Sequence, residues 1–196
     1  MLFQISAIMI LLVFYGCYFI KMFSQKKKGI RTDNVGRGKG KKGLVLMIEL
    51  ALKAVTYIVP VVEVISIINN VSLMPLGVRC LGIVLATIGD VVFIISVLTM
   101  RDSWRAGVPE NDKTELVTEG IYKYSRNPAF LGFDLVYIGI ILMFFNWGLF
   151  EITLLVIFLL HMQIVNVEED FLIATFGQEY VDYKKKVRYR MLPFIW

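Results

Sequence analysis

Arg126 and Glu168 are the residues of this chain whose types and positions best suit chemistry. Arg126 lies just before one long apolar run, 128–145, and Glu168 shortly after a second, 148–165, with only two residues between the runs. As helices, runs of this length rise roughly 27 Å, close to the ~30 Å hydrocarbon core of a bilayer. Because the break is short, we expect a tight helical hairpin at 128–165. The hairpin would return both polar flanks to one membrane face, within reach of each other.

The elements that must position these two residues are long and apolar. The chain is 57% hydrophobic and its mean hydropathy is +0.68, whereas soluble domains are roughly 45–50% apolar. In lipid an open sheet would leave backbone groups unpaired, so the apolar segments are expected to be helices. We therefore predict an all-α, polytopic membrane protein with about five transmembrane helices. The predicted spans are 2–23, 44–68, 76–100 and the two arms of the C-terminal hairpin.

Basic residues after the first span predict the orientation. Between Lys21 and Lys42 there are nine Lys and Arg residues and one acid, Asp33. The positive-inside rule assigns this loop, 21–43, to the cytosol, and counting spans from there leaves the candidate chemistry on the cytosolic side. The first span lacks a basic start and a small-residue cleavage site, so we expect a retained anchor rather than a signal peptide.

These spans divide the chain into two parts. Residues 1–100 hold three transmembrane helices and the basic cytosolic loop. Residues 101–196 hold a cytosolic connector, the hairpin, and a cytosolic C-terminal helix with its tail. The stretch from Phe176 to Tyr183 is typical of an amphipathic helix lying under the bundle.

Other kinds of site are disfavoured. The glycine- and lysine-rich stretch at 36–43 is not a phosphate loop, because no Lys-Ser or Lys-Thr pair follows the glycines and no strand precedes them. A flexible basic loop that touches anionic lipid explains it more simply than a nucleic-acid partner. Cys17 and Cys80 both lie in apolar spans, and His161 is the single histidine. We therefore expect neither a disulfide framework nor a metal site.

Two acids lie deep in the predicted spans. Asp90 and Asp134 are costly in hydrocarbon, so each is expected to face protein or water. Either residue could line a polar cavity or bond a neighbouring helix. A transporter would show such charges in two related halves, and no internal repeat is visible in the sequence.

The polar flanks of the hairpin have a predictable local geometry. Pro128 suits the first turn of a helix, so the residues before it would present free N–H groups to an anionic ligand. On the other flank His161, Ile164 and Glu168 share one helical face, while Glu169 points roughly 100° away. Each residue also has a plain structural interpretation, as part of a juxtamembrane ion pair, an interface histidine or an aromatic belt.

Taken together and in order, the motifs resemble those of the isoprenylcysteine carboxyl methyltransferase family, integral membrane enzymes related to the phospholipid methyltransferases. That family's pattern runs Leu-Val-x-x-Gly-x-Tyr, Arg-(His or Asn)-Pro-x-Tyr, a helical hairpin, Glu-Glu, Phe-Gly-x-x-Tyr-x-x-Tyr and a late Pro. The resemblance covers about 101–194, nearly half of the chain. The matching residues are Leu116, Val117, Gly120, Tyr122, Arg126, Asn127, Pro128, Phe130, Glu168, Glu169, Phe176, Gly177, Tyr180, Tyr183 and Pro193.

The resemblance implies a binding site for S-adenosylmethionine built from the two cytosolic segments, and a lipophilic or prenylated acceptor that enters from the membrane lipid. A carboxylate can accept from the methionine ammonium, and aromatic rings can shelter a sulfonium. The implied catalytic residues are Arg126 and Glu168. The implied cofactor-binding residues are Leu116, Val117, Gly120, Tyr122, Asn127, Pro128, Phe130, His161, Glu168 and Glu169.

The chain departs from the family pattern at two positions. Phe130 replaces a Tyr, which removes one hydroxyl group. Ile164 stands where the family has an Arg placed for the substrate carboxylate, and an unpaired carboxylate in a semi-buried site binds poorly. Arg126 is one replacement for that cation, and Gln163 with Asn166 would suit a different acceptor. The resemblance therefore implies methyl transfer more directly than it implies a carboxylate acceptor.

Two other functions remain open from the sequence. A membrane-bound NADPH-dependent reductase of the sterol reductase type has a similar Arg-x-Pro-x-x-x-Gly turn, but it usually carries a Glu where this chain has Phe133. A noncatalytic membrane scaffold would use Arg126 and Glu168 for stability alone.

Overall fold

The computed structural model describes residues 1–37, 42–108 and 114–191. Within these ranges the chain is helical, and its nearest approach to a strand is an isolated bridge between Asp33 and Ala106. The α-helices are α1 (Leu2–Lys27), α2 (Gly43–Asn69), α3 (Leu76–Met100), α4 (Pro128–Met143), α5 (Trp147–Gln163), α6 (Glu169–Phe176) and α7 (Gln178–Lys186). Pro193, the last residue of the motif pattern, lies outside the described residues.

The prediction of an all-α membrane protein with about five apolar helices is confirmed. Four helical stretches are long and apolar enough to cross a membrane, namely Leu2–Lys27, Gly43–Asn69, Leu76–Ser103 and Trp147–Phe176. The fifth apolar helix, α4, is shorter and rises only about 24 Å over its 16 residues. The first helix begins as predicted but continues to Lys27, so the basic loop is shorter than expected.

Helix α4 packs mainly against α3, through small residues on both helices. Gly82, Ala86 and Gly89 of α3 face Gly132 and Gly139 of α4, so the two backbones touch. A Cβ atom at Gly139 would lie 2.6 Å from the carbonyl oxygen of Gly82. Close approach of this kind is the usual basis of helix association in lipid, where burial of apolar side chains gives little driving force.

The other arm of the hairpin, α5, packs mainly against α2. The two arms of the hairpin therefore pack less against each other than against earlier helices: α4 against α3, and α5 against α2. Asn146 fixes the turn between the arms: its side-chain oxygen accepts from Leu149 N at 3.0 Å, and its amide donates to Ser66 Oγ of α2 at 2.9 Å.

An aromatic cluster joins α1 to this pair of layers. Phe14 of α1 is 1% exposed, and its ring centroid lies 4.9 Å from that of Phe93 and 4.7 Å from that of Phe133. The first span is therefore a packed part of the bundle, although it lies outside the half of the chain, 101–194, that carries the resemblance to a known family.

Of the two deep acids, Asp134 bonds a neighbouring helix. Its Oδ2 lies 3.1 Å from His161 Nε2 on α5, which ties the two arms together. Asp90 is 6% exposed, and its Oδ1 has no hydrogen-bond partner among the residues that the structure describes.

The C-terminal part of the helix that begins as α5 is irregular. Ile164–Glu168 form a π-helical turn before α6 begins. The predicted amphipathic helix after it is two short helices, because Gly177 breaks the run with φ of 55°. A π-turn has more residues per turn than an α-helix, so it rotates everything after it relative to α5.

Candidate functional site

A cavity of about 960 Å³ lies where the C-terminal end of α3 meets the segment before α4. Leu116, Val117 and Gly120, three of the predicted cofactor-binding residues, line it. Gly120 has a φ of 55°, which favours glycine, and a Cβ there would lie 3.1 Å from Thr99 of α3. The absence of a side chain at Gly120 lets the backbone of this segment lie close to α3.

Tyr122 follows on the next turn and is 5% exposed. Its carbonyl oxygen accepts from the hydroxyl of Tyr183 on α7 at 2.7 Å. Burial raises the pKa of the Tyr122 hydroxyl, and Tyr183 and the carboxylate of Glu168 raise it further. The two flanks of the hairpin come together beside this turn, where Arg126 Nη2 lies 2.6 Å from Glu169 Oε1.

Glu168 ends the π-turn and belongs to a polar chain that reaches the first half of the molecule. Gln163 Nε2 lies 3.5 Å from Glu168 Oε1 and 3.5 Å from Glu49 Oε1 of α2. The other oxygen of Glu49 accepts from the backbone N–H of Gly36 at 3.1 Å. This arrangement brings the loop after α1 to the same end of the bundle as Glu168.

Arg126 pairs with Glu169 and not with Glu168. Its Nη2 donates to Glu169 Oε1 at 2.6 Å, and both side chains are almost fully buried, at 3% and 5% exposure. The expectation that His161, Ile164 and Glu168 share a face while Glu169 points away assumed a regular α-helix. The contacts agree that Glu168 and Glu169 point to different partners, Gln163 and Arg126. The π-turn at Ile164–Glu168 breaks the regular period on which the shared face of His161, Ile164 and Glu168 was predicted.

Residues 187–191, which follow α7 and are called the C-terminal segment below, cover the turn before α4. The backbone N–H groups of Arg126 and Asn127 donate to the carbonyl oxygens of Tyr189 and Arg190, at 3.2 and 2.9 Å. The Asn127 side chain also donates to Arg190 O, at 3.0 Å. The prediction that the residues before Pro128 offer free N–H groups to an anionic ligand is therefore wrong, since backbone carbonyls already occupy those donors.

The remaining predicted site residues lie in other surroundings. His161 contacts Asp134 between the hairpin arms rather than the Tyr122 region. Pro128 is buried at the start of α4, and Phe130 packs partly buried beside Tyr137 in the α2–α5 cluster. Ile164, at the position of the family's Arg, is 0% exposed and contributes packing only. Among the described residues no group of three or more potential metal ligands occurs.

Sequence reasoning missed the cations around Glu169. Lys184 Nζ lies 3.0 Å from Glu169 Oε2, and Arg190 Nε lies 3.2 Å from Oε1. The only signal for them is the basic run that follows the tyrosine motif. No spacing rule connects that run to a residue about fifteen to twenty positions earlier across a helix break at Gly177.

Comparison with known proteins agrees with the pattern of motifs. The family model for phospholipid methyltransferases matches residues 78–179, about half of the chain. A protein-S-isoprenylcysteine O-methyltransferase of Saccharomyces cerevisiae is 33% identical over 117 residues, which is 59% of this chain and 48% of that protein. A probable protein-S-isoprenylcysteine O-methyltransferase of Oryza sativa subsp. indica is 32% identical over 116 residues, 58% of this chain and 60% of that protein. The alignments thus span about half the length of these relatives.

Proposed function

This chain belongs to the phospholipid methyltransferase family, and on that premise we propose that it is a membrane enzyme that uses S-adenosylmethionine to methylate a lipophilic acceptor. The observation that carries the proposal is that the two flanks of the hairpin meet, with Arg126 Nη2 2.6 Å from Glu169 Oε1 beside Glu168, while a cavity lined by Leu116, Val117 and Gly120 lies just before Tyr122 on the same segment. These residues come from both flanks of the hairpin, in the half of the chain that matches the family. The residues from Leu116 to Tyr122 precede the hairpin, and Glu168 follows it.

The residues at this end fit the chemistry of the proposed cofactor. A nucleoside needs apolar walls with a few polar groups, and the cavity supplies Leu116 and Val117 in a volume typical of small-molecule sites. A methionine ammonium needs an anionic acceptor, which Glu168 supplies. A sulfonium is stabilised by an aromatic face, which Tyr122 supplies. We propose these roles for the four residues.

When bound, S-adenosylmethionine supplies a methyl group on a positively charged sulfur, which an acceptor nucleophile can displace. The protein then needs to hold the acceptor in line and keep water out, because effective orientation supplies much of the rate. Arg126 takes a positioning role in this scheme. Its two terminal nitrogens are engaged by Glu169 and by the carbonyl oxygens of Val187 and Arg188, at 2.6 to 2.8 Å. It therefore seats the C-terminal segment over the turn before α4.

We propose that the acceptor is lipid-like and enters sideways from the bilayer towards the hairpin. The relatives' names specify isoprenylcysteine, and that acceptor and an amine-bearing lipid both suit an entrance between apolar helices. The loss of the family's Arg at Ile164 favours acceptors that need no cation partner there.

The site is proposed to face the cytosol. The loop after α1 carries six of the chain's 21 Lys and Arg residues, and through Gly36, Glu49 and Gln163 it lies at the same end as Glu168. The positive-inside rule then assigns this whole end to the cytosolic side.

Methyl transfer by the purified protein in vesicles tests this function. With methyl-labelled S-adenosylmethionine, label is expected on a farnesylated cysteine analogue or on an aminophospholipid. Glu168→Gln is expected to slow transfer at least about tenfold, because a charge-assisted bond is lost. The matched variant Glu179→Gln, at an exposed position on α7, should transfer like the wild type. Equal rates for the two variants would remove Glu168 from the site.

A further inference from the structure

A second pocket, of about 300 Å³, lies beside the C-terminal segment and is lined by four cations. They are Arg126, Lys184, Arg188 and Arg190. The residues proposed above to hold the cofactor do not line it. Its chemistry is therefore a question separate from methyl transfer.

Within the described part of the chain, the acidic side chains bonded to this pocket are fewer than its cations. Glu169 is the acid bonded to its lining, and each carboxylate oxygen already accepts from two donors. Oε1 accepts from Arg126 and Arg190, and Oε2 from Lys184 and Arg190. A carboxylate offers about four acceptor positions, so Glu169 is saturated. Within the described ranges, one bonded carboxylate stands against four lining cations, which is an excess of positive charge on the pocket wall.

Arg126 also has a donor to spare. Its side chain is 3% exposed, and its Nε makes no hydrogen bond of normal geometry in the described part of the chain, although the buried Tyr180 hydroxyl interacts with the Arg126 side chain. A buried donor without an acceptor costs about 1–3 kcal/mol, so such an atom calls for an explanation, of which a bound ion is one. This one belongs to a residue that lines the pocket.

Arg188 contributes differently. It is exposed, and within the described ranges its side chain forms no ion pair, although its backbone carbonyl accepts from Arg126 Nη1 at 2.8 Å. The guanidinium thus lies on the pocket wall without a fixed protein partner. It is the lining residue whose replacement disturbs the fold least.

We propose that this pocket binds a phosphate group. Guanidinium groups match a tetrahedral oxyanion with parallel N–H donors, and a doubly charged phosphate offsets more of the excess charge than a carboxylate does. The ligand would be either free phosphate or the phosphate of a lipid headgroup in the adjoining leaflet, since both present the same oxygens. Bound there, the anion completes the network that holds the C-terminal segment, through Arg126 and Arg190, on the turn before α4.

Calorimetric titration of the full-length protein in an uncharged detergent at low salt tests the proposal. Inorganic phosphate is expected to bind the wild type with one site. Arg188→Gln should weaken binding about tenfold, the usual effect of one charge-assisted bond. Lys185→Gln is the matched control: it removes the same charge from α7, but Lys185 lies outside the pocket, is 69% exposed and pairs with Asp182. Equal weakening in the two variants would mean a diffuse charge effect and would overturn the proposal.

Short-chain phosphatidic acid distinguishes the two sources. If it binds more tightly than inorganic phosphate and shows the same loss in Arg188→Gln, the pocket takes a lipid headgroup. If it binds no better, the pocket takes free phosphate. Binding of neither ligand contradicts the proposal.

A titration in the presence of S-adenosylhomocysteine separates this pocket from the cofactor site. Phosphate should bind with unchanged affinity. If S-adenosylhomocysteine displaces it, the pocket belongs to the cofactor site and the proposal of a separate phosphate site is wrong. If phosphate binds but S-adenosylhomocysteine does not, the methyltransferase function fails while the phosphate site stands.

Discussion

Replacing Glu169 by alanine is expected to lower the free energy of unfolding by about 3–5 kcal/mol, because it leaves a buried guanidinium without its counter-charge. Arg126 is 3% exposed and Glu169 is 5% exposed, so water solvates the guanidinium less well than the lost carboxylate did. The substitution also leaves Arg190 and Lys184 without the acceptor that holds the C-terminal segment. We expect that segment to detach from the turn before α4, with a large fall in the thermal unfolding midpoint.

Glu179→Ala is the control for this prediction. It removes the same side chain from an exposed position on α7, and surface changes of that kind usually alter stability by no more than about 0.5 kcal/mol. Glu169→Gln should fall between the two, since it keeps the shape and loses the charge. Similar midpoints for Glu169→Ala and Glu179→Ala would show that the buried pair does not hold the segment.

Gly139→Ala is expected to destabilise the bundle by about 1–3 kcal/mol, through overpacking of the α3–α4 contact. The added Cβ would lie 2.6 Å from the Ala86 Cβ and 2.6 Å from the Gly82 carbonyl oxygen. These atoms belong to the backbone and to a side chain with no torsional freedom, so the helices themselves must separate. Separation of α4 from α3 also moves the turn that carries Arg126 and Asn127.

Gly77→Ala controls for the change in helix propensity. It lies on α3, and a Cβ there would meet no atom within 4 Å. Alanine is favoured over glycine in a helix by about 1 kcal/mol, so this variant should be as stable as the wild type or slightly more stable. The two variants are compared by thermal unfolding in the same detergent. If Gly139→Ala is as stable as Gly77→Ala, the α3–α4 contact is not close-packed as described.

Hydrophobicity and spacing predict most of the membrane architecture. The predicted span at 76–100 coincides with α3, and the break predicted at Asn146-Trp147 overlaps the turn of the hairpin, which lies at 144–146. These features follow from local composition and from the backbone requirements of lipid. Because the break between the two arms is short, both flanks of the hairpin return to the same end of the bundle.

The pairing of side chains within the site is not predictable in the same way. An α-helical period assigned His161, Ile164 and Glu168 to one face, and the π-turn at Ile164–Glu168 breaks that period just before Glu169, which bonds Arg126. No residue type in that turn signals a π-helix. Likewise, the cover that Tyr189 and Arg190 supply to the turn before α4 is a tertiary contact between segments about sixty residues apart. Periodicity carries no information about such contacts.

The predicted site residues lie in two different surroundings, which suggests a different role for each group. Leu116, Val117 and Gly120 line the cavity, and the buried Tyr122 follows it two residues later, whereas Arg126 and Glu169 hold the C-terminal segment. The Glu-Glu motif therefore combines two functions on adjacent residues: under the proposed function its first member binds, and its second member positions. The π-turn makes this division possible, because it turns Glu169 into the protein.

Calorimetric titration of the detergent-solubilised wild type with S-adenosylhomocysteine, with NADPH as the comparison ligand, is the most direct test of the cofactor site. Binding of S-adenosylhomocysteine at one site is expected, without binding of NADPH, and Glu168→Gln should weaken it at least about tenfold while Glu179→Gln leaves it unchanged. A wild-type protein that binds NADPH instead, or that binds neither ligand, would contradict a methyltransferase site between Tyr122 and Glu168.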